Sequence, residues 1–219
     1  MKRYKYPRTP HLPWSPGVQS DDKKLADVSH FEGKTVYVTE KLDGENCTMY
    51  RDYLHARSID SPTNFTRSWV QQFHATIAHN IPEGWRIVGE NVWAEHSIRY
   101  ENLKSYFYPF AVYDNNNYCL SYYDMVEFLI QNIYKDFPNK WQMPTSPEGL
   151  YHGVFDAEKI QIITLDLDKV EGYVLRTDDG FHYDDFQFNV AKYVRDGHVQ
   201  TDQHWLKNAK RNGDLVQLN

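Results

Sequence analysis

The first clear pattern along the chain is the alternation Thr35-Val36-Tyr37-Val38, which predicts a half-buried strand over residues 35–41. That strand ends abruptly on the polar run Glu40-Lys41-Leu42-Asp43-Gly44. Similar patterning predicts strands over 47–51, 54–57, 85–92, 106–113, 170–176 and 188–194. Trp69, Phe73 and Ile77 recur at i, i+4 and i+8, which predicts a helix over 65–78 with a core-facing stripe and with Asn64 as its N-cap. Ser121, followed three residues later by Asp124, has the form of a capping box opening a helix that runs to about Tyr134. The stretch before 170 is poorly patterned, and a short helix is expected over 203–212. Proline and glycine at Pro16-Gly17, Pro82-Glu83-Gly84, Pro144 and Pro147 separate elements without isolating a domain. The order is α+β, mainly antiparallel sheets flanked by helices in one domain. Residues 1–30 form a basic N-terminal extension and 196–219 a short tail or helix.

Composition narrows this little. With 219 residues, 41% of them hydrophobic, the chain can bury one sizeable core. Its two cysteines, Cys47 and Cys119, sit in no CxxC or metal-ligand spacing, so neither a disulfide framework nor a structural zinc is implied and a cytoplasmic location is expected. No run of apolar residues has membrane-spanning length, so no membrane partner is expected.

Charge matters more by position than by sum. A net charge of -6 argues weakly against nucleic acid, yet residues 1–20 carry Lys2, Arg3, Lys5 and Arg8 without an acid, interleaved with Tyr4, Tyr6 and Trp14. This stretch is either a solvated tail or an arm that tracks a phosphate backbone and stacks on bases. Lys192, Arg195, Lys207, Lys210 and Arg211 make the other end basic.

Four polar clusters stand at strand ends: around Lys41, at Gly89-Glu90-Asn91, at Glu171-Gly172, and at Lys192 to Arg195. A lysine nucleophile, two carboxylates and a second cationic cluster, in that order, form the set that nucleotidyl transfer through a lysine-bound nucleotide requires. The amine attacks phosphorus only when deprotonated, a state that burial and a nearby cation both favour. Magnesium prefers carboxylate and phosphate oxygens and keeps several waters, so Glu90 and Glu171 would seat it against a triphosphate. Lys192 and Arg57 would face the α-phosphate, and Phe110 would stack on the purine.

Glu40-Lys41-x-Asp43-Gly44, Ala56-Arg57, Gly89-Glu90, Phe110, Glu171-Gly172-Tyr173-Val174-Leu175-Arg176 and Lys192 together resemble motifs I, Ia, III, IIIa, IV and V of the covalent nucleotidyltransferases, the superfamily of polynucleotide ligases and messenger RNA capping enzymes. Within it the chain is most similar to ATP-dependent RNA ligases of the RNA ligase 2 type. The resemblance implies a nucleotidyltransferase (adenylation) domain of the ATP-grasp-like ligase type without an OB-fold. It implies ATP and magnesium or manganese as cofactors, AMP carried on Lys41, and RNA ends as substrate, in a nicked duplex or a broken single strand. By the same resemblance Glu40, Asp43, Gly44, Asn46, Arg57, Phe110 and Arg195 bind nucleotide, and Lys41, Glu90, Glu171 and Lys192 are catalytic. The family pattern has a second lysine where Val194 stands, and Arg195 is the expected replacement. The stretch after Arg195 is too short for an OB-fold, so end recognition would fall to the core, its basic termini or a partner subunit. The alternatives are another covalent nucleotidyltransferase, a DNA ligase or capping guanylyltransferase, and a non-catalytic nucleic-acid-binding module. Three further readings concern the flanks: His55 and His96 as structural residues, Arg99 in the loop 95–100 as a phosphate ligand, and Asp178 to Asp185 as a solvated hairpin about Gly180.

Overall fold

β1 (Thr35–Lys41) forms where the alternation predicts it, with Val36 and Val38 fully buried. The structure is a computed structural model that describes residues 2–140, 143–166, 169–197 and 209–216. β1 lies inside a four-stranded antiparallel sheet of order β10-β8-β1-β7, formed with β7 (Gly149–Val154), β8 (Gly172–Thr177) and β10 (Val190–Val194). The chain then crosses at Leu42–Gly44 into a second antiparallel sheet of order β3-β2-β4-β5-β6-β9. Its strands are β2 (Glu45–Tyr50), β3 (Leu54–Ala56), β4 (Arg86–Asn91), β5 (Phe107–Tyr113), β6 (Tyr118–Cys119) and β9 (Phe181–His182).

Helices α1 (Ser68–Ile77) and α2 (Tyr122–Phe128) cover the second sheet. Asn64 and Ser121 cap as expected: the Asn64 side chain accepts from the N–H of Thr66 and the Ser121 hydroxyl from that of Asp124, each at 3.0 Å. Val70, Phe73 and Ile77 of α1, with Met125, Leu129 and Ile133, pack on Cys47, Met49, Ile87, Phe107 and Val112. A second cluster joins Val36, Val38, Tyr173, Leu175 and Ala191 to Leu12, Phe31 and Ile160, the last from the short α3 (Ala157–Gln161). A third, built on Val88, Ala111, Phe181, Phe186 and Val190, holds the two sheets together.

Several expectations give way. The stretch read as unpatterned contains β7 and α3; β7 is an edge strand with no fully buried residue, so it lacks the alternation that a buried face imposes. No hairpin forms at Gly180, because β8 and β9 belong to different sheets and β9 pairs with β6. The helix expected over 203–212 lies mostly outside the described residues, and 209–212 hold only an isolated bridge of Arg211 with Ala94. The N-terminal extension is not a solvated tail. Pro10 to Leu12 run parallel to β10, with Lys192 N–H donating to Pro10 O at 2.9 Å and Leu12 N–H to Lys192 O at 2.8 Å, while His11 also pairs with Lys24. This pairing closes the open edge of β10. Tyr4 packs against Tyr183 and the buried Arg86, and Trp14 donates to the Tyr173 hydroxyl at 2.7 Å.

Arg176 on β8 ties one sheet to the other. Its guanidinium donates to Phe110 O at 3.2 Å and Leu120 O at 2.8 Å, carbonyls on and beside the second sheet. Arg176→Met keeps the length but strands both carbonyls, and stability should fall by about 1–3 kcal/mol. Urea unfolding checks this; a midpoint equal to wild type would mean that the apolar cluster alone joins the sheets.

Candidate active site

The register of β1 against β8 builds the centre of the site. Lys41 lies opposite Gly172, so the residue before that glycine, Glu171, is brought to the lysine, and Nζ donates to Glu171 Oε2 at 2.5 Å. Glu171 is 1% exposed and Lys41 19%. A β-carbon on Gly172 would lie 2.0 Å from the carbonyl oxygen of Tyr193, so only glycine lets β8 and β10 approach here. Glu90 comes from the second sheet, on β4 opposite Asn46 of β2 and next to a register shift at Val88/Gly89. Gly44 is needed for close approach of backbone: a β-carbon there would stand 2.5 Å from Asn91 O and 3.1 Å from the Glu90 side chain.

A cleft of about 1110 Å³ opens between the sheets around this centre. Lys41, Glu40, Asp43, Gly44, Asn46, Arg57, Glu90, Phe110, Glu171 and Lys192 all line it. Of the candidate residues only Arg195 is not among its lining; its backbone N–H donates to Glu171 O at 3.0 Å. The alternation of β10 explains this, because Val190 and Lys192 face the cleft and the next residue on that face is the buried Val194. Asp43 is engaged by the loop beyond β4: its Oδ2 accepts from Ser97 N–H at 2.8 Å and Ser97 hydroxyl at 2.6 Å. Asn46 presents a buried carbonyl oxygen with no hydrogen-bond partner among the described residues, an acceptor suited to a ligand's donor.

Electrostatics differ from the sequence expectation at Lys41. Burial disfavours the Lys41 ammonium, but the carboxylates of Glu171, Glu90 and Asp43 outweigh it and hold the group above its ordinary range. Burial, opposed by Lys41, pushes Glu90 up to about 8. Burial also pushes Glu40 up to about 7, helped by the facing Glu148 carboxylate. Lys192 is held below its ordinary value by burial, opposed by Asp22. Among the described residues no group of three or more acidic, histidine or cysteine side chains gathers at metal-binding distance. The acids beside Lys41, Glu90 and Glu171, instead offer a sparse donor set that suits magnesium or manganese held largely through its own water.

Sequence reasoning missed several parts of the cleft. Tyr6, from the N-terminal extension, lines it with its ring 5.1 Å from that of Phe110. Tyr37 and Tyr122 stack at 3.8 Å on its wall, and Asp22 also reaches it. Each contact joins residues far apart in the chain, and no local pattern announces it. Arg99 turns away from the expected phosphate role, donating to Glu101 at 2.7 Å and Glu95 at 3.1 Å, and it does not line the cleft. His55 is structural as expected, buried with Nδ1 beside Ala56 O, whereas His96 lines the cleft. Glu45, not singled out by its motif position, grips Arg67 with both carboxylate oxygens, at 2.7 and 2.5 Å.

Two antiparallel sheets with a lysine and two carboxylates at the cleft between them define a nucleotidyltransferase-like fold. The RNA ligase family model matches residues 34–194, and the chain belongs to that family. Its fold is similar to that of an RNA ligase from Naegleria gruberi: an alanine variant with ATP and manganese aligns at TM-score 0.54 and 19% identity, over 77% of this chain and 52% of that one. The same enzyme with pyrophosphate aligns at TM-score 0.53 and 17% identity, over 89% and 61%. Another alanine variant, with AMP and manganese, aligns at 0.54 and 16%, over 89% and 62%. The chain thus spans between half and two thirds of the length of the structures it resembles. No curated protein matches it. Among the described residues no helix is long and apolar enough to cross a membrane.

The raised value of Glu40 predicts a pH dependence of stability. An unfolded glutamate titrates near ~4.3, so between there and about 7 the folded state keeps a proton that the unfolded chain releases. Stability should therefore fall as pH rises across that window, with the raised Glu90 extending the fall to about 8, and Glu40→Gln should make the fall shallower without abolishing it. Urea midpoints at pH 5 and pH 7.5 check this; parallel shifts in both proteins would place Glu40 in a solvated setting.

Proposed function

We propose that the chain is an ATP-dependent RNA ligase that joins 5'-phosphate and 3'-hydroxyl RNA ends through AMP carried on Lys41. The observation that carries this reading is the convergence of the candidate residues, Arg195 excepted, on one cleft whose centre is the Lys41–Glu171 pair. Lys41 Nζ forms the bond to the α-phosphorus while the bond to the pyrophosphate oxygen breaks. Its proton has an acceptor in Glu171, already in hydrogen-bond contact. Lys192, across from Val174 on the strand next to Glu171, supplies positive charge where charge builds on the α-phosphate oxygens. Phe110, partly buried on the cleft wall, offers a ring for the purine, with Tyr6 beside it.

Glu90 and Glu171 would hold magnesium or manganese largely through water, and the bound cation would neutralise triphosphate charge and relieve the carboxylate field on Lys41. In later steps the AMP passes from Lys41 to the RNA 5'-phosphate, and the 3'-hydroxyl then displaces it. The orphaned Asn46 oxygen and Arg57, exposed at the mouth just after β3, are suited to hold the incoming end. End recognition draws on the core, on the segments outside 34–194, or on a partner subunit.

Incubation of the purified protein with a divalent cation and α-labelled ATP or GTP tests the reading. Label from ATP should survive denaturation and map to Lys41, and Lys41→Ala should lose it by more than about a thousandfold. Label from GTP alone would make the chain a guanylyltransferase. Absence of label from both, after bound nucleotide has been stripped with pyrophosphate, would make it a non-catalytic binding module.

A further inference from the structure

The N-terminal extension delivers a hydrogen-bond relay to the cleft. Pairing of His11 with both Lys192 and Lys24 fixes the loop between them, and that loop carries Asp22 to the cleft wall. Lys192 Nζ donates to Asp22 Oδ1 at 3.4 Å, and Asp22 Oδ2 faces His11 Nε2 at 3.0 Å and accepts from Gln19 N–H at 3.2 Å. His11 Nδ1 faces the Ser15 hydroxyl at 2.8 Å, and that hydroxyl oxygen accepts the Val194 N–H at 2.9 Å. His11 is fully buried.

The chemistry of the groups orients this relay. A carboxylate only accepts, so Nε2 must carry the proton it shares with Asp22. Burial and the nearby Lys192 push His11 down to about 4, against Asp22, so the ring is neutral and Nδ1 is left to accept from Ser15. Each link from Val194 N–H to Lys192 Nζ then has a defined donor and acceptor, the Ser15 hydroxyl lying nearer to His11 Nδ1, at 2.8 Å, than to Val194 O, at 3.4 Å. The relay begins and ends on β10, anchored at one end by the backbone of the strand whose side chain it restrains at the other.

We propose that His11 and Asp22 are positioning residues that hold the Lys192 ammonium in the cleft for nucleotide transfer, a role that rests on the function proposed above. A long lysine side chain loses much of its rotamer freedom when it is fixed, and the relay restrains it before nucleotide arrives. It also supplies restraint at a strand where the expected second lysine is replaced by the buried Val194. A purely structural reading, in which Asp22 only clips the extension to the edge of β10, predicts different behaviour in a mutant cycle.

The test is the rate of Lys41–AMP formation in a single turnover with labelled ATP, measured for wild type, Asp22→Asn, Lys192→Ala and the double variant. Asp22→Asn should slow the step on the order of tenfold, while in the Lys192→Ala background it should cost less than about twofold. His11→Ala should reproduce the loss, and His11→Gln, whose amide nitrogen reaches close to the place of Nε2, should recover most of it. Thermal melting run in parallel separates lost fold from lost positioning. If Asp22→Asn is too unstable to measure, the histidine pair with and without Lys192→Ala gives the same cycle. Equal losses in both backgrounds, or no loss at all in a labelling wild type, would overturn this inference and leave the proposed function standing. A wild type that takes no label would overturn both.

Discussion

An ammonium at the seam between two sheets must be met there by opposite charge, and that requirement organises this molecule. Lys41 ends β1 in one sheet, and four residues later the chain has entered the other. Lys41 is largely buried at this seam, so its charge is stable only with partners close at hand. The first sheet provides Glu171 through the register of β8, and the second provides Glu90 through β4. Packing of the two sheets is therefore also the assembly of the site. Arg176, reaching from β8 to carbonyls on and beside the second sheet, serves both ends at once.

The carboxylates that satisfy Lys41 also hold it protonated. Anything that draws charge from Glu90 and Glu171 weakens the field that holds the proton on the amine. The raised value of Glu90 reflects that tension: two acids and a lysine share a volume that cannot solvate them all.

How much of this was legible in the sequence depended on whether the interaction was local. β1 was readable because one buried face imposes alternation on it, β4, β5, β8 and β10 because most of their positions are buried and leave short apolar runs that end on polar residues, and the helix caps because Asn64 and Ser121 act within three residues. β7 escaped because an edge strand buries too little to leave a pattern, and the switch of sheets after β8 escaped because turn residues look alike whether a strand pairs back or moves on. The same distinction holds in the cleft. Lys41, Glu90, Glu171 and Lys192 stand in recognisable strand-end clusters, whereas Tyr6 and Asp22 reach the site through an extension whose charge suggested a different use. Arg195 shows the limit of motif reasoning, since strand alternation decides which side chain faces the cleft.

The tight contact at Gly44 has a further meaning for how the site can vary. Because the chain at this crossing lies against the carbonyl of Asn91, the separation between the lysine strand and the Glu90 strand is fixed by backbone against backbone. That spacing does not depend on the side chains elsewhere in the cleft, so the surroundings can vary while it is kept. An inserted residue between Lys41 and Glu45 has no such freedom. The crossing acts as a ruler, and the length of the tether after the lysine is more constrained than the identity of most residues that surround it.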